Sequence, residues 1–144
     1  MKGATSMWEY EHTIETTVAP QALWEVWADI EAWSQWSPGI AEIKVDGPFT
    51  AGTTFAMIPG PDEEPINMRL ADVVVGEQFT DVCDFGGVIV TTVHRLEPLD
   101  GGGTRVTYRT EITGAEADEL GPQIGPDITA DFPDVVAALV ARAA

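Results

Sequence analysis

Apolar and polar side chains alternate strictly between residues 8 and 18. One set of positions carries Trp8, Tyr10, His12 and Ile14, and the other carries Glu9, Glu11, Thr13 and Glu15. A repeat of two residues over this length is typical of a β-strand with one buried and one solvated face. This strand is therefore predicted to turn Tyr10 and His12 towards the protein interior.

The pattern then changes to helical spacing. Pro20 suits the first turn of a helix, and apolar residues recur after it at helical intervals: Leu23, Trp24, Val26, Trp27 and Ile30. A second short helical turn is predicted over residues 31–35, because Pro38 and Gly39 stop it from continuing.

Six further segments with strand-like patterning follow, separated by short turns rich in Gly and Pro. They span residues 40–46, 53–58, 66–75, 78–84, 87–97 and 104–113. Short strands joined by tight turns predict an antiparallel meander. If the last two strands close around residues 98–103, His94 lies nearly opposite Val106 or Tyr108.

Helical spacing returns beyond Ala115, in a stripe made of Ile128, Phe132, Val135, Val136, Leu139 and Val140. Pro126 is placed to open this helix, and Pro133 is expected to kink it. The length predicts one α+β domain over residues 1–144, in the order β-α-α-β6-α. A single helix cannot fill a curved sheet of seven strands, so a cavity is expected between them.

Charged residues predict which strands are neighbours. Arg105 and Arg109 share the outer face of their strand, and the outer face of the first strand is acidic. Opposite charges on adjacent strands attract, whereas like charges repel. The first and last strands are therefore predicted to pair.

The chain carries 24 acidic and 7 basic residues, a formal net charge of −17. Such a surface repels nucleic acid and anionic membranes, so neither nucleic-acid binding nor membrane insertion is expected. The main interpretation is that the like charges make protein molecules repel one another and so keep the protein soluble. The alternative is adaptation to a salty cytoplasm. A neutral or weakly cationic small molecule is a better partner than an anion.

Cys83 is the single cysteine, and it stands between Asp81 and Asp84. A reactive thiolate needs a basic neighbourhood, so we interpret Cys83 as a small buried strand residue. The N-terminal residues show no signal-peptide core, and the longest apolar run, residues 135–141, is too short to span a bilayer. A cytoplasmic location is expected.

Several short motifs occur along the chain in the same order as in one superfamily of known fold. They are Leu23-Trp24-Glu25-Val26-Trp27, the W-x-x-W-x-P turn from Trp33 to Pro38, Gly52 to Met57, Leu96-Glu97-Pro98 with Gly103-Thr104-Arg105, and Pro133 to Leu139. In these the chain resembles the START-like helix-grip superfamily (SRPBCC), in its polyketide cyclase/dehydratase-type branch. The resemblance covers about residues 8–143. It implies a helix-grip fold, in which a seven-stranded curved antiparallel sheet grips a long C-terminal helix around a hydrophobic ligand cavity.

This superfamily includes lipid carriers, hormone-binding proteins, aromatic cyclases and chaperone activators, so fold alone selects no function. The leading hypothesis is the binding or transport of a small hydrophobic molecule by a monomer or homodimer. One alternative is a cyclase or dehydratase acting on an aromatic or polyketide-type substrate. Another is a protein-interaction module.

Tyr10, His12, His94 and Tyr108 are predicted to form one polar patch on the inward face of the sheet. They either orient a ligand as hydrogen-bonded wall residues or move a proton, with His94, Tyr108 and His12 as the catalytic candidates. The other predicted ligand-binding residues are Trp27, Phe55, Met57, Met68, Leu70, Phe79, Val90 and Phe132.

No metal or other cofactor is expected, because the two histidines lack metal-binding spacing. Four of the five tryptophans lie between residues 20 and 36, where they form core and a cap on the cavity mouth or stack on a planar ligand. The acidic segment 62–64 is interpreted as a solvated loop, with a mobile gate at the cavity entrance as the alternative.

Overall fold

Seven antiparallel strands form one sheet in the computed structural model, which describes residues 7–144. Residues 1–6, on which the expected absence of a signal-peptide core rests, lie outside the described residues. The strands are β1 (Met7–Thr16), β2 (Glu42–Asp46), β3 (Thr54–Ile58), β4 (Ile66–Val74), β5 (Gln78–Asp84), β6 (Ile89–Pro98) and β7 (Thr104–Thr113). Their spatial order is β1-β7-β6-β5-β4-β3-β2. This arrangement confirms the predicted meander.

The pairing of β1 with β7 confirms the predicted neighbours. On the outer face, Arg109 Nη2 lies 2.9 Å from Glu9 Oε2, and Arg105 Nη2 lies 3.0 Å from Glu15 Oε2. Arg109 also lies 3.4 Å from Glu111, the residue that pairs with Glu9 across the two strands. One guanidinium therefore offsets two facing carboxylates, although exposed pairs of this kind each contribute less than about 1 kcal/mol.

Two short helical elements cover one end of the sheet. Helix α1 (Pro20–Ala28) begins at its proline and buries Leu23, Trp24 and Trp27. A 3₁₀ turn (Ile30–Ala32) leads into α2 (Trp33–Trp36), which ends before Pro38. These elements fall where the helical spacing predicted them.

The closing helix is bent into two segments, α3 (Ala117–Thr129) and α4 (Phe132–Ala143). The expected roles of two prolines need correction. Pro126 lies inside α3 rather than opening the main helix, and Pro133 lies in the first turn of α4 rather than kinking one helix. The first turn tolerates proline because its N–H has no partner within the helix, so the chain breaks at residues 130–131 and restarts there.

The core is divided into two clusters of buried side chains. The larger lies beneath α1 and α4 and includes Trp27, Phe79 and Leu139. The smaller lies beneath α3 and includes Cys83, Val88, Val90, Ile112 and Ala117. Because the helices separate at residues 130–131, the two clusters do not merge into one packed core.

Helix α3 approaches β1 through two glycines. A Cβ atom at Gly121 would lie 2.5 Å from the Trp8 Cβ, and one at Gly125 would lie 2.6 Å from Cε3 of the Trp8 ring. Real side chains do not approach so closely, so only glycine lets the helix backbone rest on the indole. Trp8 is therefore the contact that positions α3 over the sheet.

Gly125→Ala tests this contact. Alanine normally favours a helix interior over glycine by about 1 kcal/mol, but here its methyl group would overlap the Trp8 ring. We expect a loss of about 1–3 kcal/mol in the free energy of unfolding, measured by urea denaturation. In a Trp8→Ala background the same substitution should cost nothing or stabilise. An equal cost in both backgrounds would show that the indole is not the obstacle.

Candidate functional site

A cavity of about 280 Å³ lies where the two core clusters meet. Its floor is the inward face of β3 to β7, and its roof is the α2 region, Ile128 of α3 and the start of α4. The lining residues are Trp33, Trp36, Ser37, Pro38, Gly39, Ile40, Met57, Ile66, Met68, Phe79, Asp81, Cys83, Phe85, Val90, Thr92, His94, Tyr108, Ile128, Asp131, Phe132 and Val135. The lining is thus mainly apolar, with a few polar groups.

The polar groups come from neighbouring strands in register. Phe79 pairs with His94, and Asp81 pairs with Thr92, across β5 and β6. His94 in turn pairs with Tyr108 across β6 and β7. Because alternate residues of a strand face the same side, these pairings gather a carboxyl, an imidazole and a phenol on one patch of the cavity floor.

A β-bulge lies directly beside this patch. The pairing of β4 with β5 shifts between Leu70, which faces Asp81, and Asp72, which faces Thr80. The extra residue, Ala71, increases the local bend of the strand, as bulges do. The bend helps the sheet to curve around the cavity at the position of Asp81.

His94 is held as a neutral imidazole. Its ring stacks on Phe79 at a centroid distance of 4.0 Å, and its Nδ1 lies 3.3 Å from the Phe79 carbonyl oxygen. A carbonyl only accepts hydrogen bonds, so Nδ1 carries the proton and Nε2 offers a lone pair. Burial lowers the pKa of His94 to about 3.

Asp81 is a buried carboxyl without a close donor. Its side chain is 9% exposed, and its Oδ2 lies 4.0 Å from His94 Nε2, beyond hydrogen-bonding distance. Within residues 7–144 no other ion pair involves this carboxyl. Burial raises the pKa of Asp81 to about 7, so both protonation states are populated near neutral pH.

Tyr108 remains a neutral phenol that can donate. Trp27 Nε1 donates a hydrogen bond of 3.1 Å to its hydroxyl oxygen, which leaves the phenolic proton available. Its ring centroid lies 4.6 Å from that of His94. Burial raises the pKa of Tyr108 above its ordinary range.

Tryptophans form part of the cavity roof. Trp33 and Trp36 line the cavity, and Trp33 Nε1 donates to the Trp27 carbonyl at 3.0 Å. The Trp36 Nε1 is buried without a hydrogen-bond partner within the described part of the chain. Trp24 does not line the cavity and packs against Trp27, with ring centroids 6.2 Å apart.

Seven of the twelve predicted ligand-binding residues line the cavity: Met57, Met68, Phe79, Val90, His94, Tyr108 and Phe132. The other five do not: Tyr10, His12, Trp27, Phe55 and Leu70. Trp27, Phe55 and Leu70 are buried core residues. Of the predicted polar patch, His94 and Tyr108 therefore line the cavity, whereas Tyr10 and His12 of β1 do not.

Tyr10 and His12 lie on the inward face of the edge strand β1. Tyr10 packs on Phe132 with ring centroids 6.0 Å apart. His12 pairs with Tyr108 across the two strands, but its side chain is outside the cavity lining. The first strand lies one strand beyond the cavity floor.

Asp81 is the site residue that sequence reasoning missed. In the sequence it stands out only as an acidic neighbour of Cys83. A signal was present, because Phe79, Asp81 and Cys83 occupy alternate positions and so share one face of β5. A charged residue between two apolar ones on an inward face predicts a buried carboxyl.

Cys83 is buried and lines the cavity. Burial raises its pKa, and the charges of Asp81 and Asp84 raise it further. The thiol is therefore protonated near neutral pH, as its acidic neighbours predicted.

The acidic segment 62–64 is exposed and lies outside the cavity lining. Within residues 7–144, no group of three His, Cys, Asp or Glu side chains is arranged to hold a metal ion. None of the helices in that range combines the length and apolarity needed to cross a membrane.

The large exposed apolar side chains are Met7, Val74, Val75, Phe85 and Ile89. Val74 and Val75 stand at one end of β5, and Phe85 and Ile89 stand at the other. Met7 lies at the same end as Phe85 and Ile89, because Met7 and Ile89 both pair with Thr113, so these five described side chains are divided between two places on the sheet.

The sequence matches, over residues 7–144, the family described as polyketide cyclase / dehydrase and lipid transport. No protein of curated function has a matching sequence. Similar solved structures include Ara h 8.0201, with 15% identity, a TM-score of 0.76, and coverage of 95% of this chain and 97% of that one.

Two enzymes are also among the similar structures. Norcoclaurine synthase from Thalictrum flavum has 17% identity and a TM-score of 0.74, covering 94% of this chain and 85% of that one. The Zhui aromatase/cyclase from Streptomyces sp. R1128 has 15% identity and a TM-score of 0.69, covering 94% and 93%. At such low identity these likenesses establish a shared fold.

Asp81→Asn tests the buried carboxyl through the pH dependence of folding. The pKa of Asp81 rises from 3.8 to about 7 on folding, so the folded protein holds an extra proton between these values. Stability then falls with rising pH, by about 1.4 kcal/mol per unit. His94 has the opposite sign between about 3 and 6.5, because its unfolded form binds the extra proton.

The two slopes nearly cancel in the wild type up to about pH 6.5. In Asp81→Asn the His94 slope is no longer offset by Asp81, so stability should rise with pH from about 4 to 6.5 in urea denaturation. Asp84→Asn, at the exposed end of β5, should parallel the wild type. Parallel profiles for Asp81→Asn and the wild type would mean that the Asp81 carboxyl titrates normally.

Proposed function

Because this chain belongs to the polyketide cyclase / dehydrase and lipid transport family of the SRPBCC helix-grip superfamily, we propose that it binds a small hydrophobic ligand between its sheet and its C-terminal helices. The cavity carries this proposal. Ligand pockets are mostly apolar with a few placed polar groups, and they occupy about 300–1,000 Å³. At about 280 Å³, this cavity suits a molecule of one or two rings.

The access route follows from the exposure of the lining. Pro38, Gly39 and Phe85 are cavity-lining residues that are exposed to solvent, and Phe85 is 54% exposed. The mouth therefore lies between the loop after α2 and the turn between β5 and β6. A ligand would pass these residues to reach the polar patch.

Val90→Phe tests ligand binding in the cavity. Val90 is buried and lines the cavity, so a larger side chain there removes space that a ligand would use. With 2-(1-naphthyl)ethanol as an uncharged probe, we expect isothermal titration calorimetry to show binding to the wild type and at least tenfold weaker binding to the variant.

Val93→Phe is the matched control, because Val93 lies on the opposite face of the same strand. It should bind the probe as the wild type does. Equal affinities in all three proteins would place the probe elsewhere, and absence of binding to the wild type would count against the proposed function.

A second candidate function is proton-transfer catalysis, which the juxtaposition of Asp81, His94 and Tyr108 favours. The Asp81 carboxylate could remove a proton from the carbon next to a ligand carbonyl, and the electron pair would pass to the carbonyl oxygen. The Tyr108 hydroxyl could donate a hydrogen bond to that oxygen. With a β-hydroxy substrate, the electron pair would return from the oxygen to form a C=C bond while the bond to the β-hydroxyl breaks. The leaving hydroxyl would take the proton back from the Asp81 carboxyl, which releases water and regenerates the carboxylate. A base with a pKa near 7 suits such a step.

Deuterium exchange tests this chemistry without a known substrate. In D₂O, wild-type protein should accelerate exchange of the methyl protons of 1-acetonaphthone, followed by proton NMR. Asp81→Asn should lose most of the acceleration, on the order of 10²-fold, and Asp84→Asn should retain it. A wild-type rate equal to that of buffer would leave ligand binding as the function.

A further inference from the structure

Two hydrogen-bond acceptors face one another in the cavity. Asp81 Oδ2 and His94 Nε2 are 4.0 Å apart. The imidazole proton is engaged by the Phe79 carbonyl, so Nε2 presents a lone pair. The carboxyl is buried and receives no hydrogen bond from any residue between 7 and 144. Asp81 lines the cavity, and the space between this pair of acceptors has a suitable width for a donor.

The surroundings favour a positive donor. The cavity lining contains no lysine or arginine, and its two acidic residues are Asp81 and Asp131. Aromatic rings surround the patch, with Phe79 and Tyr108 both packed on His94. A cation is attracted both to carboxylates and to aromatic faces.

Resting on the proposed ligand-binding function, we infer that the ligand is a hydrophobic amine whose ammonium nitrogen lies between Asp81 and His94 and donates to both. A nitrogen about 2.9 Å from each acceptor spans a gap of this size. The apolar body of the ligand would contact Met68, Val90 and Ile128, which line the same cavity. Because both groups at this position are hydrogen-bond acceptors, the site would favour an amine, which donates hydrogen bonds.

A matched pair of probes tests this inference: 2-(1-naphthyl)ethylamine and 2-(1-naphthyl)ethanol, which differ in the ammonium group. At about pH 8, isothermal titration calorimetry should show the amine binding at least tenfold tighter than the alcohol. A primary alkylammonium keeps its charge over the whole range tested. The amine needs the Asp81 carboxylate, so its affinity should rise about tenfold per pH unit from about pH 5 to 7 and then level off.

Other titratable groups line the cavity, namely His94 from β6, Tyr108 from β7, Cys83 from β5 and Asp131 from the α3–α4 junction. Burial keeps the first three neutral across the pH range tested. Asp81→Asn separates Asp81 from Asp131: it should remove the preference for the amine over the alcohol and the pH dependence of amine binding. Asp84→Asn should behave as the wild type.

The outcomes are distinguishable. Equal or tighter binding of the alcohol would overturn the amine inference and leave ligand binding intact. Amine affinity that falls with rising pH would also overturn it, because ionisation of Asp81 would then weaken the binding of the ammonium instead of strengthening it. Persistence of the preference in Asp81→Asn would place the ammonium elsewhere. Failure of both probes to bind the wild type would count against both proposals.

Discussion

The structure depends on how three helical elements bury the inward face of one curved seven-stranded sheet. A sheet must cover its apolar face, but straight helices cannot follow a concave surface of this size. The chain covers part of the sheet with α1 and α4, and it places α3 over β1 and β7. The break between α3 and α4 leaves a gap between two packed clusters, and that gap is the cavity.

The same constraint explains why a carboxyl persists in an apolar interior. Asp81 lies on the cavity floor, where it is shielded from bulk water but has no protein donor. Replacing it by an apolar residue of similar size would relieve the desolvation cost. The protein instead keeps, beside a cavity, a carboxyl whose pKa burial raises to about 7, and perturbed groups of this kind cluster at functional sites.

Most of the fold follows from local sequence patterns. Period-two alternation places β1 and the inward positions of β5, β6 and β7, and it also brings His94 opposite Tyr108. The site is less local. Whether an inward side chain reaches the cavity depends on its lateral place in the sheet, so His12 on the edge strand does not line the cavity. Alternation alone predicts that Asp81 faces inward, but its lack of a hydrogen-bond donor depends on contacts across strands. The packing of Gly125 on Trp8 joins residues distant in sequence.

The two halves of the closing helix differ in backbone bonding, with a consequence for ligand exchange rates. Pro122 and Pro126 lie inside α3 and remove two N–H donors from its hydrogen-bond ladder, whereas the proline of α4 stands in its first turn. Segments with fewer backbone hydrogen bonds open at lower free energy. Because Ile128 of α3 forms part of the cavity roof, transient opening of this half would give a bound ligand a second exit in addition to the mouth beside Phe85. It would raise the rates of entry and exit together and leave the affinity unchanged.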